Sequence, residues 1–140
     1  MPKCFTPLFF LFLITACNQQ PSSNNKTAPS SVVIHVNANE DGTITDTLVV
    51  KQLQELAQQV SNKGDKIMLN SYTERMQSDK EAMTIATRNA EAAKEVMSRT
   101  GLERIYYNVG IDAHGAVNFL PGIPENSAQN RRIEVQVVSR

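Results

Sequence analysis

Residue types able to do chemistry are few in this chain of 140 residues, and their spacing narrows what they can do. The two cysteines, Cys4 and Cys17, both precede any stretch able to fold, so they cannot staple a domain or build a multi-cysteine metal site. His35 sits in an apolar run and His114 in a glycine-bearing loop, with no His-x-x-x-His spacing, and neither is expected to bind metal or to catalyse. Asn37, Asn39, Asp41, Gly42 and Ile44 imitate the first eight positions of an EF-hand loop. The imitation fails where charge matters: position 1 is Asn and position 12 is Leu48 in place of a bidentate glutamate, so a plain Asn/Asp/Gly turn is expected. There is no Gly-rich phosphate loop, no Gly-x-Ser-x-Gly elbow and no paired nucleophile and base. No cofactor, no metal and no enzymatic activity are therefore expected. With 14 basic and 14 acidic side chains the electrostatic footprint of a nucleic-acid binder is missing as well.

Cys17 has a use of another kind. Lys3 precedes an almost unbroken Phe, Leu and Ile run from Cys4 to Ile14, the length of a signal-peptide apolar region and too short to span a bilayer. The residues Ile14-Thr15-Ala16-Cys17 that close it resemble the lipobox of bacterial lipoproteins. The resemblance implies that residues 1–16 form a signal peptide that is removed, that the Cys17 thiol is diacylglycerylated, and that the new amino terminus is acylated. At about 0.8 kcal/mol per buried methylene, more than one chain turns marginal membrane binding into stable anchoring. In enteric-type lipoproteins Asp after the lipidated cysteine favours the inner membrane; Asn18 stands there, so the outer membrane is expected. Residues 18–31 hold one alanine and otherwise only polar residues and proline, with nothing to bury. Residues 17–31 are thus expected to be a disordered tether with a reach of roughly 20 Å.

The folding part, residues 32–140, switches between two periodicities. Val32 to Val36 reads as a strand. Val49, Leu53, Leu56, Ala57 and Val60 share one helical face, with Thr45 or Asp46 as cap and Gly64 past the end. Lys66 to Tyr72 reads as a second strand. Ser78 or Asp79 opens a second helix whose Ala82, Ala86, Ala90, Ala93 and Met97 line one side, with Gly101 ending it. Arg104 to Val109 reads as a third strand, residues 110–130 as irregular chain, and Arg132 to Val138 as a fourth strand. Alternating strands and helices predict right-handed crossovers, and so a four-stranded sheet that is at least partly parallel and carries both helices on one face.

In that frame Asn130-Arg131-Arg132-Ile133-Glu134-Val135 resembles the Asn-Arg-Arg-Val-Glu signature of the OmpA-like C-terminal domain family, which includes peptidoglycan-associated lipoproteins. Arg104-Ile105 with Val109-Gly110 is similar to that family's third strand, and the element order β-α-β-α-β-β agrees over about residues 32–138. The resemblance implies an α+β domain with a mixed four-stranded sheet and two helices on one face, and non-covalent binding of peptidoglycan through the diaminopimelate of its stem peptide. That residue ends in an ammonium and a carboxylate on one carbon, so its receptor needs an anion and a cation, preferably arginine, a few ångströms apart. Tyr72-Thr73-Glu74 looks like the family's His-Thr-Asp, and Arg88 follows at close to the family's interval. Glu74 is thereby expected to meet the ammonium and Arg88 the carboxylate, with Asn130 and Arg131 as weaker candidates. Two departures matter: Glu74 is one methylene longer than the family's Asp, and a one-residue slip would put Asn89 where the arginine belongs. On an ideal helix Arg88 lies about 200° from Ala86, on the polar side where Glu91 is an ordinary surface partner. The competing expectation is an adaptor that kept the fold, lost wall binding and docks other envelope proteins through residues 110–130.

Overall fold

The computed structural model describes residues 31–61, 66–99 and 109–138. Strand β1 (Ser31–Ile34) is followed by helix α1 (Thr47–Ser61), strand β2 (Lys66–Tyr72), helix α2 (Asp79–Ser98), strand β3 (Val109–Gly115) and strand β4 (Arg132–Val138), with a 3-10 turn at Ala128–Asn130. The strands form one sheet in the order β1-β4-β2-β3. β4 pairs antiparallel with both β1 and β2, and β2 pairs parallel with β3. The α+β class and the mixed four-stranded sheet are as the resemblance implies.

Each helix starts where a side chain satisfies its free N–H groups. Asp46, not Thr45, caps α1, its Oδ1 accepting from the N–H groups of Leu48 at 2.9 Å and Val49 at 3.3 Å. Ser78 Oγ accepts from Glu81 N–H at 3.2 Å, and Asp79 and Glu81 place negative charge in the first turn of α2. That helix ends at Ser98; Gly64 and Gly101, read as stops, lie outside the described residues.

Strand alternation decides the two sides of the sheet. Ile67 and Leu69 of β2, Ile133 and Val135 of β4 and Ile34 of β1 point to one side, where they pack with Leu53 and Ala57 of α1 and Ala93 and Met97 of α2. Both helices therefore cover this face. The side chains of Ala82, Ala86, Ala90 and Ala93 are all but fully buried, and their small size lets α2 lie close to β2 and β3. The other face carries Val33, Met68, Asn70, Tyr72, Glu134 and Gln136.

The third strand departs from the expectation. Residues 104–108 lie outside the described residues, and the strand covers Val109–Gly115, six positions of which were read as irregular chain. His114 is therefore a strand residue and not part of a loop. Glycines at both ends and an Asp inside hide the alternation. At Gly110 the flexible end of the Met68 side chain lies over the backbone, where a Cβ would come within 2.9 Å of its Cε, and Gly115 has φ +70°, open to glycine at little cost. Register shifts between Ser71, opposite Ala113, and Tyr72, opposite Gly115, so His114 is an extra residue bulged over the Tyr72 ring.

Candidate functional site

β1, β2 and β3 run in one direction and β4 in the other, so the carboxyl ends of three strands meet the start of the fourth at one pole. In open sheets of this kind ligands gather beyond the carboxyl ends of the parallel strands. The chain leaving β2 stays in the structure, with Thr73 N–H donating to Gly115 C=O at 2.9 Å. This holds Thr73 fully buried and Glu74 at 7 % exposure.

A carboxylate so nearly removed from water requires partners, and Glu74 has three donors. Thr73 Oγ1 donates to Oε2 at 2.7 Å. Arg131 Nε donates to the same oxygen at 2.8 Å, and its Nη2 donates to Oε1, the two-pronged geometry only arginine offers. The remaining arm, Nη1, donates to Asn37 Oδ1 at 2.6 Å, tying in the segment after β1. Burial alone pushes the Glu74 carboxyl up; the hydrogen bonds from Arg131 and Thr73 outweigh it and hold the group at about 2, against an ordinary 4.5. The same contact pushes Arg131 up.

The third segment at the pole, residues 116–131, is pegged by Asn130. Its Oδ1 accepts from Leu120 N–H at 2.8 Å and its Nδ2 donates to Pro124 C=O at 2.8 Å, with the side chain fully buried. Arg132, also buried, donates to Asn118 C=O at 2.8 Å and lies 4.2 Å over the Tyr72 ring, which stacks on His114 at 4.8 Å. Asp41, in the EF-hand-like segment, spends its carboxylate on the N–H and hydroxyl of Thr43, forming a closed turn.

The OmpA-like domain of FopA1 from Francisella tularensis superposes with a TM-score of 0.63 at 19% identity, over 78% of this chain and 73% of that one. This chain has the OmpA-like fold. The peptidoglycan-associated lipoprotein from Burkholderia pseudomallei gives 0.57 at 17% identity, over 84% and 99% of the two chains. The cell wall anchor of the T6SS from Pseudomonas aeruginosa gives 0.55 at 15%, over 79% and 81%. No protein-family profile matches the sequence, and no curated protein does.

Within this OmpA-like domain, three of the four expected site residues, Glu74, Asn130 and Arg131, lie at the pole. The guanidinium that meets Glu74 is that of Arg131. Arg88 lies on α2 in a groove of about 370 Å³ shared with Gly42, Glu91, Glu95 and Ile111, and Glu74 lines no part of it. Its Nε is buried without a hydrogen-bond partner. The next residue, Asn89, turns inward, and its Oδ1 accepts from Ala38 N–H at 2.9 Å, one residue from Asn37. Asn130 is occupied in holding the loop. Sequence reasoning missed Asn37 and the union of Glu74 with Arg131; 57 residues separate that pair, and no local spacing announces it.

Proposed function

We propose that this chain is an envelope lipoprotein, anchored in the outer membrane through acylated Cys17, whose OmpA-like domain binds the diaminopimelate stem of peptidoglycan non-covalently. The observation that carries the reading is a buried acid beside a half-buried guanidinium at the carboxyl pole, built from Glu74 and from the signature residue Arg131. A zwitterionic amino acid calls for these two charges. The names of two neighbours in fold, a peptidoglycan-associated lipoprotein and a cell wall anchor, support the same substrate class.

The polarity of the sheet suits such a tie. Ser31 pairs with Gln136 and Lys66 with Val138 at the end away from the site, whereas Ile34 pairs with Ile133 and Tyr72 with Arg132 near it. Ser31, where the tether would join, is level with Gln136, five strand steps or roughly 17 Å along β4 from Arg131. Membrane and wall would pull on opposite poles. Binding without turnover also fits Glu74, which holds no proton to trade near neutral pH.

A second reading, the adaptor docking envelope proteins, is favoured by one observation: Glu74 is already neutralised by Arg131. Sedimentation with purified diaminopimelate-containing sacculi separates the two. Peptidoglycan binding predicts that the protein pellets and that free diaminopimelate releases it; an adaptor stays in the supernatant with or without the amino acid.

A further inference from the structure

β1 lies at one edge of the sheet, and among the described residues it pairs with β4 alone, so the backbone groups along its other side meet no strand. Val32 and Val33 point to opposite faces of the sheet and are 40% and 50% exposed. A groove of about 230 Å³ runs along this edge, with Val32 and Val33 on one wall and Gln52, Glu55 and Leu56 of α1 on the other. We propose that this edge is the association surface for a second copy of this chain, whose own β1 adds to it antiparallel and continues the sheet across a two-fold axis. An added strand finds backbone partners along β1 and, on the helix side, a channel for alternate side chains.

The two edges of the sheet differ in how they meet a further strand. β3, at the opposite edge, is broken up by Gly110 and Gly115, by the charge of Asp112 and by the bulge at His114, features that discourage pairing. β1 has none of these. Ser31–Ile34 is uncharged, lacks glycine and proline, and keeps an unbroken register with β4. An edge left flat, apolar and β-branched on both faces is a template for another strand.

The occupant follows from what the chain itself supplies. Residues 18–30, which lead into β1, hold Pro21 and Pro29 and only one β-branched residue, Thr27, so this segment is poorly suited to fold back and pair with the edge. A second β1 is suited on both faces, because its Val32 and Val33 are the residues the edge leaves uncovered. A two-fold axis normal to the sheet brings like faces together, so Val32 or Val33 meets its own copy at the axis. Charge does not oppose the match: Glu55 is the one charged side chain along the groove, and Lys51 lies 3.8 Å from it. The two Ser31 residues then stand about 7–13 Å apart along the strands, within the roughly 20 Å reach of the residues that precede them, so two copies held on one membrane can pair. The seam uses no residue of the Glu74–Arg131 pole, and it stands independently of what that pole binds.

The test takes the chain from residue 17 onward with Cys17→Ser, which leaves no native thiol. Its mass is followed by sedimentation from about 10 µM to about 1 mM, the upper figure being of the order of the local concentration that a shared membrane and short tethers provide. A monomer–dimer equilibrium is expected, with hydrogen exchange of β1 amides slowing as the dimer fills. Val33→Lys puts a charge on the exposed edge and is expected to raise the dissociation constant about tenfold or more, whereas Leu48→Lys, at an exposed position on α1 outside the groove, leaves it unchanged. Val32→Cys or Val33→Cys is expected to give a disulfide-linked dimer on oxidation, because opposed residues of antiparallel strands have Cα atoms about 4.5–5.5 Å apart, and Leu48→Cys is not. A parent that stays monomeric up to about 1 mM overturns the inference: fast exchange along β1 would then show an edge with no occupant, and slow exchange an edge covered by another part of the same chain. A dimer as tight in Val33→Lys as in the parent, or linked no better through positions 32 and 33 than through 48, also overturns it.

Discussion

Glu74 and Arg131 stand on different connections of the sheet and are joined by two N–H···O bonds, while the third arm of the guanidinium reaches Asn37 on another. One side chain thus locks together the segments that follow β1 and β2 and the one that precedes β4. That contact is at once a structural clasp and the charged centre of the site, and the two roles lead to separate measurements.

The clasp makes stability depend on pH with a defined sign. The folded-state carboxyl is held at about 2, below its ordinary 4.5, so the stabilisation is complete above the unfolded value and is lost as pH falls through the folded one. A shift of this size corresponds to something on the order of 3 kcal/mol at neutral pH. Urea unfolding of the parent and of Glu74→Gln should differ by about this amount at pH 7, and the gap should close between about pH 5 and pH 2. A gap independent of pH contradicts the assignment.

Asn130 should matter for the loop and not for charge. Removing its amide leaves Leu120 N–H and Pro124 C=O, which it now satisfies, without partners, so Asn130→Ala is expected to cost about 2–4 kcal/mol. Hydrogen exchange at the Leu120 amide should speed up in the same variant. Slow exchange retained at that amide would show that something else holds the loop.

The start of α1 offers a choice that the sequence leaves open between Thr45 and Asp46. The cap is Asp46, so Asp46→Ala should lower stability by about 0.5–2 kcal/mol and Thr45→Ala by much less. Thermal melts of the two variants decide this.

The alanine side of α2 predicts intolerance of bulk. Ala90 is fully buried against the sheet, and Ala90→Leu should destabilise by about 1–3 kcal/mol through overpacking. Leu53→Ala, which opens a cavity in the same core, should cost about 2–5 kcal/mol.

These elements also mark how far the residues alone reach. β2 and β4 were legible to the residue because β-branched and aliphatic side chains alternate along them, and α2 because four alanines and Met97 recur at helical spacing. β3 was not, since Gly110, Asp112 and Gly115 break the alternation, and the bulge that sets His114 over Tyr72 follows from pairing with a distant strand. The pole was half legible. Glu74 and Arg131 were both singled out, through resemblance, but their contact depends on β4 lying between β1 and β2, an order fixed by sheet register and not by any local pattern. Arg88 and Asn89 show the same limit, because a rotation of one residue about the axis of α2 exchanges the side chain in the groove for the one beside Ala38.

Wall binding at the carboxyl pole requires that the wall's zwitterion engage the Glu74–Arg131 centre. The most direct measurement is to follow the arginine Nε–H signals of the isotope-labelled mature chain by NMR during titration with a diaminopimelate-containing stem peptide. A shift of the Arg131 signal that saturates with the peptide, and is lost in Glu74→Gln, is predicted. An Arg131 signal that stays in place while the peptide binds, or while Arg88 alone responds, would contradict it.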